Sequence, residues 1–292
     1  MQRSLSRETI KYLAALAMLL DHIAVIFLRE GSMWYTAFRM AGGMTAVSMC
    51  YFLAEGFEKS SNRRNYRLRM LVFALLAQAP YQLAFSQART SISFAPLNML
   101  FNLFLCLCLL EVMASPTEKA RMPVLVLVPL LCCVCDWSFL APAYVMIFHR
   151  LLRTRSDALS PGSPSTGSPS VGSSAPGSPS VGNRSVGNLF ASTPSAASRA
   201  GHRAGIIAWG KVIGLNVLFS VLVLFDHFGP ETLWWCAFLS VAGQICAFAL
   251  IEFGYNGKCR ASGGRMKYFH KWFFYLWYPV HLLMLWVYAI VC

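Results

Sequence analysis

The chain has 292 residues, of which 57% are hydrophobic and 13% are charged, and its formal net charge is +13. An average soluble domain carries about 25% charged residues, so a soluble or disordered chain of this composition is excluded because it would leave too much apolar surface in water. Apolar runs near the ~20 residues that cross a bilayer predict an all-α, polytopic integral membrane helical bundle.

Nine apolar segments are candidate transmembrane helices. They lie at about residues 11–28, 37–57, 69–86, 95–113, 122–135, 137–152, 206–225, 232–253 and 272–291. The fifth and sixth segments are short and meet at Asp136. We predict nine spanning helices. If these two segments form a re-entrant hairpin instead, the number of spanning helices is seven or eight.

The Lys and Arg residues collect on one side of this nine-helix arrangement. With the N-terminus in the cytoplasm, 22 of the 25 basic residues fall in cytoplasmic segments, and only Arg29, Arg39 and Arg89 fall outside. Basic residues concentrate in the cytoplasmic loops of membrane proteins. The sequence therefore predicts an N-in/C-out topology. Because topology accounts for the positive charge, we expect the lipid bilayer as a partner and no nucleic acid.

A break in composition at residues 156–204 divides the chain into two membrane parts. Gly-Ser-Pro-Ser recurs there at 162–165, 167–170 and 177–180, and apolar residues are too sparse to form a core. We predict a disordered cytoplasmic linker between a six-helix part at 1–155 and a three-helix part at 205–292, with a partner-docking loop as the alternative. The cysteines mostly lie in apolar runs without a second cluster of metal-binding spacing, so no metal site is predicted.

Three ionisable residues lie deep in the first and last predicted helices. Asp21 and His22 are midway along the first helix, and His281 is about ten residues into the last. Both helices enter from the same side, so the two histidines have matching depths. Neighbouring helical residues diverge by ~100°, so Asp21 does not orient His22 within its own helix. Since ionisable groups in lipid are costly, we predict a proton-transfer centre, with a structural polar knot as the alternative.

Five more polar residues interrupt the predicted helices. Arg39 begins the second helix on the outer side, where it could be an interface anchor, and Glu55 ends that helix, where its carboxylate could snorkel. Gln78 lies in the third helix. Asn98 and Asn102 are four residues apart, share one face of the predicted fourth helix, and are expected to form interhelical hydrogen bonds.

Several stretches of the chain resemble the TraX family of conjugal-transfer membrane proteins. They are KYLAALAMLLDHIAVIF at Lys11–Phe27, FLAEGFEKSSNRRNYRLRMLVFALLAQAP at Phe52–Pro80, LNMLFNLF at Leu97–Phe104, and the closing segments Tyr255–Lys258 and Lys271–Leu285. They run in the family's order. The segment around Arg39 departs from the family's Gly-Arg-x-x-x-Pro pattern because it lacks the preceding Gly and the Pro.

The resemblance implies an activity and a place in the cell. Members of the family are described as acetylating the N-terminal amine of F-type pilin at the bacterial inner membrane, with acetyl-CoA as the acyl donor. On this basis His22 is expected to be the catalytic base, supported by Asp21 or His281. A small-solute or proton-coupled transporter that uses these three residues as a relay is the alternative, and a non-catalytic membrane scaffold is a second one.

The same hypothesis assigns roles to polar residues outside the predicted proton-transfer centre. Basic side chains on the cytoplasmic side would meet the phosphates of acetyl-CoA. The candidates are Arg63, Arg64, Lys258, Arg260 and Lys267. Donors for the oxyanion of the reacting thioester are expected among Asn98, Asn102 and Tyr278. Asn256 belongs to the Tyr-Asn-Gly-Lys turn, a segment of the resemblance.

Overall fold

The computed structural model of the chain describes residues 4–86, 96–115, 118–158, 196–224, 241–258 and 264–291. Within these ranges the backbone is helical apart from short turns and two isolated bridges, and no β-sheet forms. The predicted all-α class is confirmed.

Every predicted apolar segment overlaps a helix of the described chain. The helices are α1 Arg7–Phe27, α2 Met33–Lys59, α3 Arg63–Ser86, α4 Met99–Ala114, α5 Glu118–Cys132, α6 Leu140–Ala158, α7 Ala196–Leu224, α8 Val241–Gly254 and α9 Gly264–Val291. The last turn of α8, Leu250–Gly254, is π-helical. The predicted linker at 156–204 overlaps the end of α6 and the start of α7, and its residues 159–195 lie outside the described ranges.

Polar side chains determine where three of these helices begin. Ser6 accepts a hydrogen bond from the backbone N–H of Thr9 at the start of α1, and Ser32 caps α2 in the same way. Asn98 accepts from the backbone N–H groups of the first turn of α4. These caps satisfy donors that have no partner inside a helix. The expectation that Asn98 and Asn102 share a face of one helix is therefore wrong, because Asn98 precedes the helix as its cap.

The outer surface of the bundle is apolar. Within the described residues, α1, α3 and the Tyr268–Val291 portion of α9 are long and apolar enough to cross a membrane, and three shorter apolar helices accompany them. Large apolar side chains such as Leu75, Leu76 and Met284 are exposed on these helices. Helices with such faces are stable in lipid, where all their backbone groups are bonded internally. The chain is thus a membrane protein, and the count of nine spans stays a prediction.

Helices from both membrane parts pack in one core. α1 packs against α2 and α9, α3 against α4 and α9, and α6 against α2 and α7. A close backbone approach occurs at Gly243 of α8, where a Cβ atom would lie 2.2 Å from the carbonyl oxygen of Met40 in α2. Small residues permit such contacts between membrane helices.

The two membrane parts also join through the backbone at the ends of α1 and α8. The N–H of Leu5 donates to the carbonyl of Gly254 over 2.9 Å, and the N–H of Asn256 donates to the carbonyl of Leu5 over 3.1 Å. The N–H of Arg7 donates to the carbonyl of Lys258 over 3.1 Å. These bonds hold the start of α1 against the loop that follows α8.

Candidate functional site

The packing of α1 against α9 brings His22 and His281 into contact. The Nδ1 atom of His22 lies 2.8 Å from the Nε2 atom of His281, and the ring planes are nearly parallel. Both side chains are buried, at 5% and 1% exposure. The structure therefore brings together two predicted site residues that are 259 positions apart in the chain. We call them the histidine pair.

Hydrogen bonding assigns a protonation pattern to the neutral histidine pair. The Nδ1 atom of His281 lies 2.8 Å from the backbone carbonyl of Trp277. A carbonyl only accepts, so Nδ1 of His281 carries the hydrogen and its Nε2 accepts. The Nδ1–H of His22 must then donate to that Nε2 atom. This leaves the Nε2 atom of His22 with a free lone pair, which makes it the basic atom of the pair.

Asp21 faces α2 and lies apart from the histidine pair's hydrogen bonds. Its Oδ1 atom accepts a 2.6 Å hydrogen bond from Arg39, so the two predicted residues form an ion pair. Gly42 leaves the room for this contact, because a Cβ atom there would lie 2.3 Å from Oδ1 of Asp21. Asp21 thus links α1 to α2 one residue before His22, and this ion pair helps to fix the position of the helix that carries His22.

Tyr278 lies beside the histidine pair with a buried hydroxyl group. Its ring centroid is 5.6 Å from that of His281 and 6.4 Å from that of His22. The hydroxyl lies near the backbone of Met99 but makes no hydrogen bond of good geometry within the described chain. A buried hydroxyl without a partner costs about 1–3 kcal/mol. Such a group is suited to donate a hydrogen bond to a bound ligand.

A cavity of about 530 Å³ leads toward the histidine pair between α1, α2, α3, α4 and α9. We call the end with the charged lining residues, beside the first turns of α1, its mouth. Polar and charged side chains line this mouth, namely Arg7, Glu8, Lys11, Arg69, His270 and Lys271. Apolar side chains line the rest, including Met49, Phe52, Leu53, Met70, Leu100, Leu103 and Phe274.

The cavity ends one helical turn from the histidine pair. Its deep end is formed by Met18, Met99 and Tyr278. Met18 precedes His22 by four residues on α1, and Tyr278 precedes His281 by three on α9. At 1.5 Å per residue, the path along α1 from Arg7 at the mouth to Met18 is about 16 Å long. The charged lining residues at the mouth are mostly basic, and the deep end is apolar apart from the hydroxyl of Tyr278.

The basic residues that line the mouth differ from those that the sequence singled out. Arg63 and Arg64 are exposed at the start of α3, and Lys258 is exposed after α8; none of them lines the cavity. Arg260 and the side chain of Lys267 lie outside what the structure describes.

A helical spacing could have pointed to the lining residues of α1. Lys11, Ala15, Met18 and His22 follow the i, i+4, i+7, i+11 pattern of a single helix face. Lys11, Ala15 and Met18 line the cavity in this order, and His22 follows on the same face one turn beyond its end.

The remaining predicted polar residues of α3 and α4 hold helices together. The Nδ2 atom of Asn98 donates to the carbonyl of Ala74 and to Oε1 of Gln78, each over 2.8 Å. The Nδ2 atom of Asn102 donates to the carbonyl of Ser138 over 3.1 Å. Because these amide donors already have partners, Tyr278 is the member of the predicted oxyanion set whose donor lacks one.

Glu55 is buried, and it binds three side chains at the mouth end of the bundle. Its carboxylate lies 3.2 Å from Nε of Arg7 and 2.7 Å from Nζ of Lys59, and it accepts a 2.7 Å hydrogen bond from the hydroxyl of Tyr255. Burial and then the nearby carboxylate raise the pKa of Tyr255, so this phenol stays protonated and donates. Asn256 shapes the adjacent turn by accepting a hydrogen bond from the N–H of Lys258.

Glu252 is a buried carboxylate that the sequence analysis missed. Both of its oxygens lie 2.7 Å from Nη2 of Arg155, and Nε1 of Trp209 donates to Oε1 over 3.1 Å. The sequence does contain a sign of it, because Glu252 is an acidic residue within the predicted eighth apolar segment. Its partners come from α6 and α7, so it joins α8 to those helices away from the cavity.

Comparison with known proteins places this arrangement in context. The profile of the TraX protein family matches residues 6–161. The chain is also similar to the "Probable fimbrial assembly protein FimC, serogroup H1" of Dichelobacter nodosus, with 35% identity over 149 residues. That match covers 49% of this chain and 59% of the relative, so the chain spans well under two thirds of the relative's length. No solved structure matches the chain.

Proposed function

The chain belongs to the TraX family, and from this premise we propose that it is an integral membrane acetyltransferase that moves acetyl from acetyl-CoA to an amine. The observation that carries the proposal is the histidine pair, which lies one helical turn beyond the deep end of the cavity. A buried pair in which Nε2 of His22 keeps its lone pair can act as a general base, and the cavity has mostly basic charged residues at its mouth.

The residues of the site have defined roles in this reaction. An α-amine has a pKa of about 7.7–8.0, so a fraction of it is neutral at neutral pH, and this neutral amine must lose one further proton as it becomes an amide. The Nε2 atom of His22 takes that proton as the amine nitrogen bonds to the acetyl carbon and the carbon–sulfur bond breaks. His22 then returns the proton to the departing thiolate. His281 accepts from Nδ1–H of His22 throughout, and so stabilises the charge that His22 gains.

The cavity suits the donor that the family resemblance implies. When bound, acetyl-CoA would supply an acetyl group on a thioester at the end of a long uncharged arm, with phosphates at the other end. Arg7, Lys11 and Lys271 at the mouth fit the phosphates, and the apolar walls fit the arm. The hydroxyl of Tyr278 at the deep end is placed to donate to the thioester oxygen as negative charge develops there.

We further propose that the protein sits in the bacterial inner membrane with nine spanning helices and its N-terminus inside. This topology places the cavity mouth in the cytoplasm, where acetyl-CoA is found, because the mouth lies at the start of α1. The concentration of Lys and Arg on that side supports the same orientation.

The acceptor that we propose is the N-terminal amine of a pilin. The family resemblance points to pilin acetylation, and the similar protein from Dichelobacter nodosus is named as a probable fimbrial assembly protein. Both relate to the assembly of surface filaments. A free α-amine at neutral pH is the acceptor for which a neutral histidine base is best matched.

The proposal is tested with protein purified into nanodiscs and supplied with isotopically labelled acetyl-CoA. A short peptide with a free N-terminal alanine serves as acceptor, and both labelled peptide and released CoA are measured. Wild type is expected to acetylate the peptide, and His22→Gln is expected to lose about 10²- to 10⁴-fold in rate, the range that a general base contributes.

His149→Gln is the matched control for that substitution. His149 is also buried, but it lies beside Glu58 and outside the cavity, so its substitution should leave the rate near that of wild type. Absence of both CoA binding and CoA release in wild type would overturn the enzyme proposal and favour the proton-coupled transporter, which would use the same histidines.

A further inference from the structure

Two methionines, Met18 and Met99, line the deep end of the cavity beside Tyr278. We propose that Met18 and Met99 are specificity-determining residues that restrict the transferred acyl group to two carbons. This inference rests on the proposed function, since it concerns the donor of the same reaction.

Met18, Met99 and Tyr278 lie at one level of the bundle. α1 and α9 run side by side, with Tyr12 against His270, His22 against His281, and Phe27 against Tyr288. The offsets of these pairs, 258, 259 and 261 positions, place Tyr278 level with residues 17–20 of α1, which include Met18. The hydroxyl of Tyr278 in turn lies near the backbone of Met99, at the start of α4.

The two methionine side chains fill the space at this level. Met18 and Met99 are each 4% exposed, although both line the cavity. A thioester oxygen held by the hydroxyl of Tyr278 places the acyl carbon at the deep end, one turn from His22. The acyl chain beyond that carbon then meets Met18 and Met99 directly. A methyl group needs little room there, whereas each added methylene must displace a thioether.

Apolar contacts of this kind select substrates by size. One extra methylene in an apolar pocket changes selectivity by about 10- to 200-fold. Methionine is flexible, so the walls tolerate small displacements but resist longer chains. The chain-length preference should therefore depend on the methionines at the deep end and not on those elsewhere in the cavity.

The test compares rates with acetyl-CoA, butyryl-CoA and hexanoyl-CoA in nanodiscs. Wild type is expected to favour acetyl-CoA over hexanoyl-CoA in kcat/KM. Met18→Ala and Met99→Ala are each expected to reduce that preference by about tenfold or more. Met18→Val is included because it keeps more of the buried volume and so preserves folding if Met18→Ala does not.

Met49→Ala is the matched control. Met49 also lines the cavity but lies nearer the mouth, one turn after Thr45 of α2, whose hydroxyl donates to the carbonyl of Ala14. Its truncation should change the rates with all three donors by the same factor.

Two outcomes overturn the inference and are distinguishable. If wild type transfers acetyl but neither methionine variant alters the chain-length ratio, this inference alone is wrong and the proposed function stands. If wild type releases CoA from none of the three donors, the proposed function fails and the inference fails with it.

Discussion

The two side chains of the histidine pair differ in their hydrogen bonds, although the two residues look equivalent in the sequence. His22 presents a free Nε2 lone pair, whereas both ring nitrogens of His281 are engaged, one with Trp277 and one with His22. In the proposed reaction His22 is the catalytic residue, and His281 is a positioning residue that sets the tautomer of His22. Two substitutions of His281 with different hydrogen-bonding capacity separate these roles.

We expect His281→Gln to retain more activity than His281→Leu. The glutamine carbonyl can still accept from Nδ1–H of His22 and hold the required tautomer, whereas leucine leaves that N–H buried without a partner, at a cost of about 1–3 kcal/mol. The measurement is the rate of peptide acetylation against pH, with thermal unfolding as a control for folding. Equal loss in both variants across the pH range would show that hydrogen bonding by His281 does not matter.

Removal of the Tyr278 hydroxyl is expected to affect the reaction and not the fold. Tyr278→Phe deletes a donor that makes no good hydrogen bond within the described chain, so the midpoint of thermal unfolding should stay the same or rise. Loss of one oxyanion donor typically lowers kcat by about 10²- to 10³-fold. Steady-state kinetics would reveal a fall in kcat with KM unchanged, and a wild-type kcat would exclude the hydroxyl from the reaction.

At the scale of elements, glycine determines how closely α8 approaches α2. A Cβ atom at Gly243 would lie 2.2 Å from the carbonyl oxygen of Met40 and 3.0 Å from the backbone of Gly43 and Met44. These are backbone atoms that no side-chain rotation moves aside. The contact between the helices can therefore accommodate a methyl group only if the helices themselves move apart.

Gly243→Ala is expected to destabilise the protein by about 1–3 kcal/mol, the usual cost of overpacking. Gly210→Ala and Gly214→Ala in α7 are the matched controls, because a Cβ atom at either position meets nothing within 4 Å. These two should be neutral or slightly stabilising, since alanine favours a helix over glycine. Denaturation of the three variants in the same detergent measures the difference, and equal stability of all three would contradict the close packing.

At the scale of the whole molecule, one core unites helices from both sides of residues 159–195. The histidine pair needs one residue from each part, and so do the Glu55–Tyr255 and Arg155–Glu252 contacts. Three backbone bonds also join the start of α1 to residues 254–258. These contacts join the two parts through residues that the structure describes.

We therefore expect residues 1–158 and 196–292, expressed together as separate chains, to assemble into one complex. A tag on the first fragment should recover the second from detergent extracts. Replacement of Glu252 by Leu should reduce that recovery, because it leaves the guanidinium of Arg155 without its carboxylate partner, a loss of about 3–5 kcal/mol for a buried pair. Recovery of the tagged fragment alone would show that the connecting segment is needed for assembly.

The sequence by itself determined the helical class, the segments that form helices and the residues of the histidine pair. These follow from local properties, since hydropathy and helical spacing depend on neighbours in the chain. Equal depth was enough to match His22 with His281, because both helices start on the same side.

Only the tertiary structure decided which partners the polar residues bind and where the cavity lies. Asp21 binds Arg39 because α2 passes close to it at Gly42, and the mouth is formed by Arg7 and Lys271 instead of the more obvious basic loops. Such contacts depend on how helices distant in the chain pack against one another. Helix packing depends on many weak contacts between whole helix faces, so it cannot be read from any local stretch of the sequence.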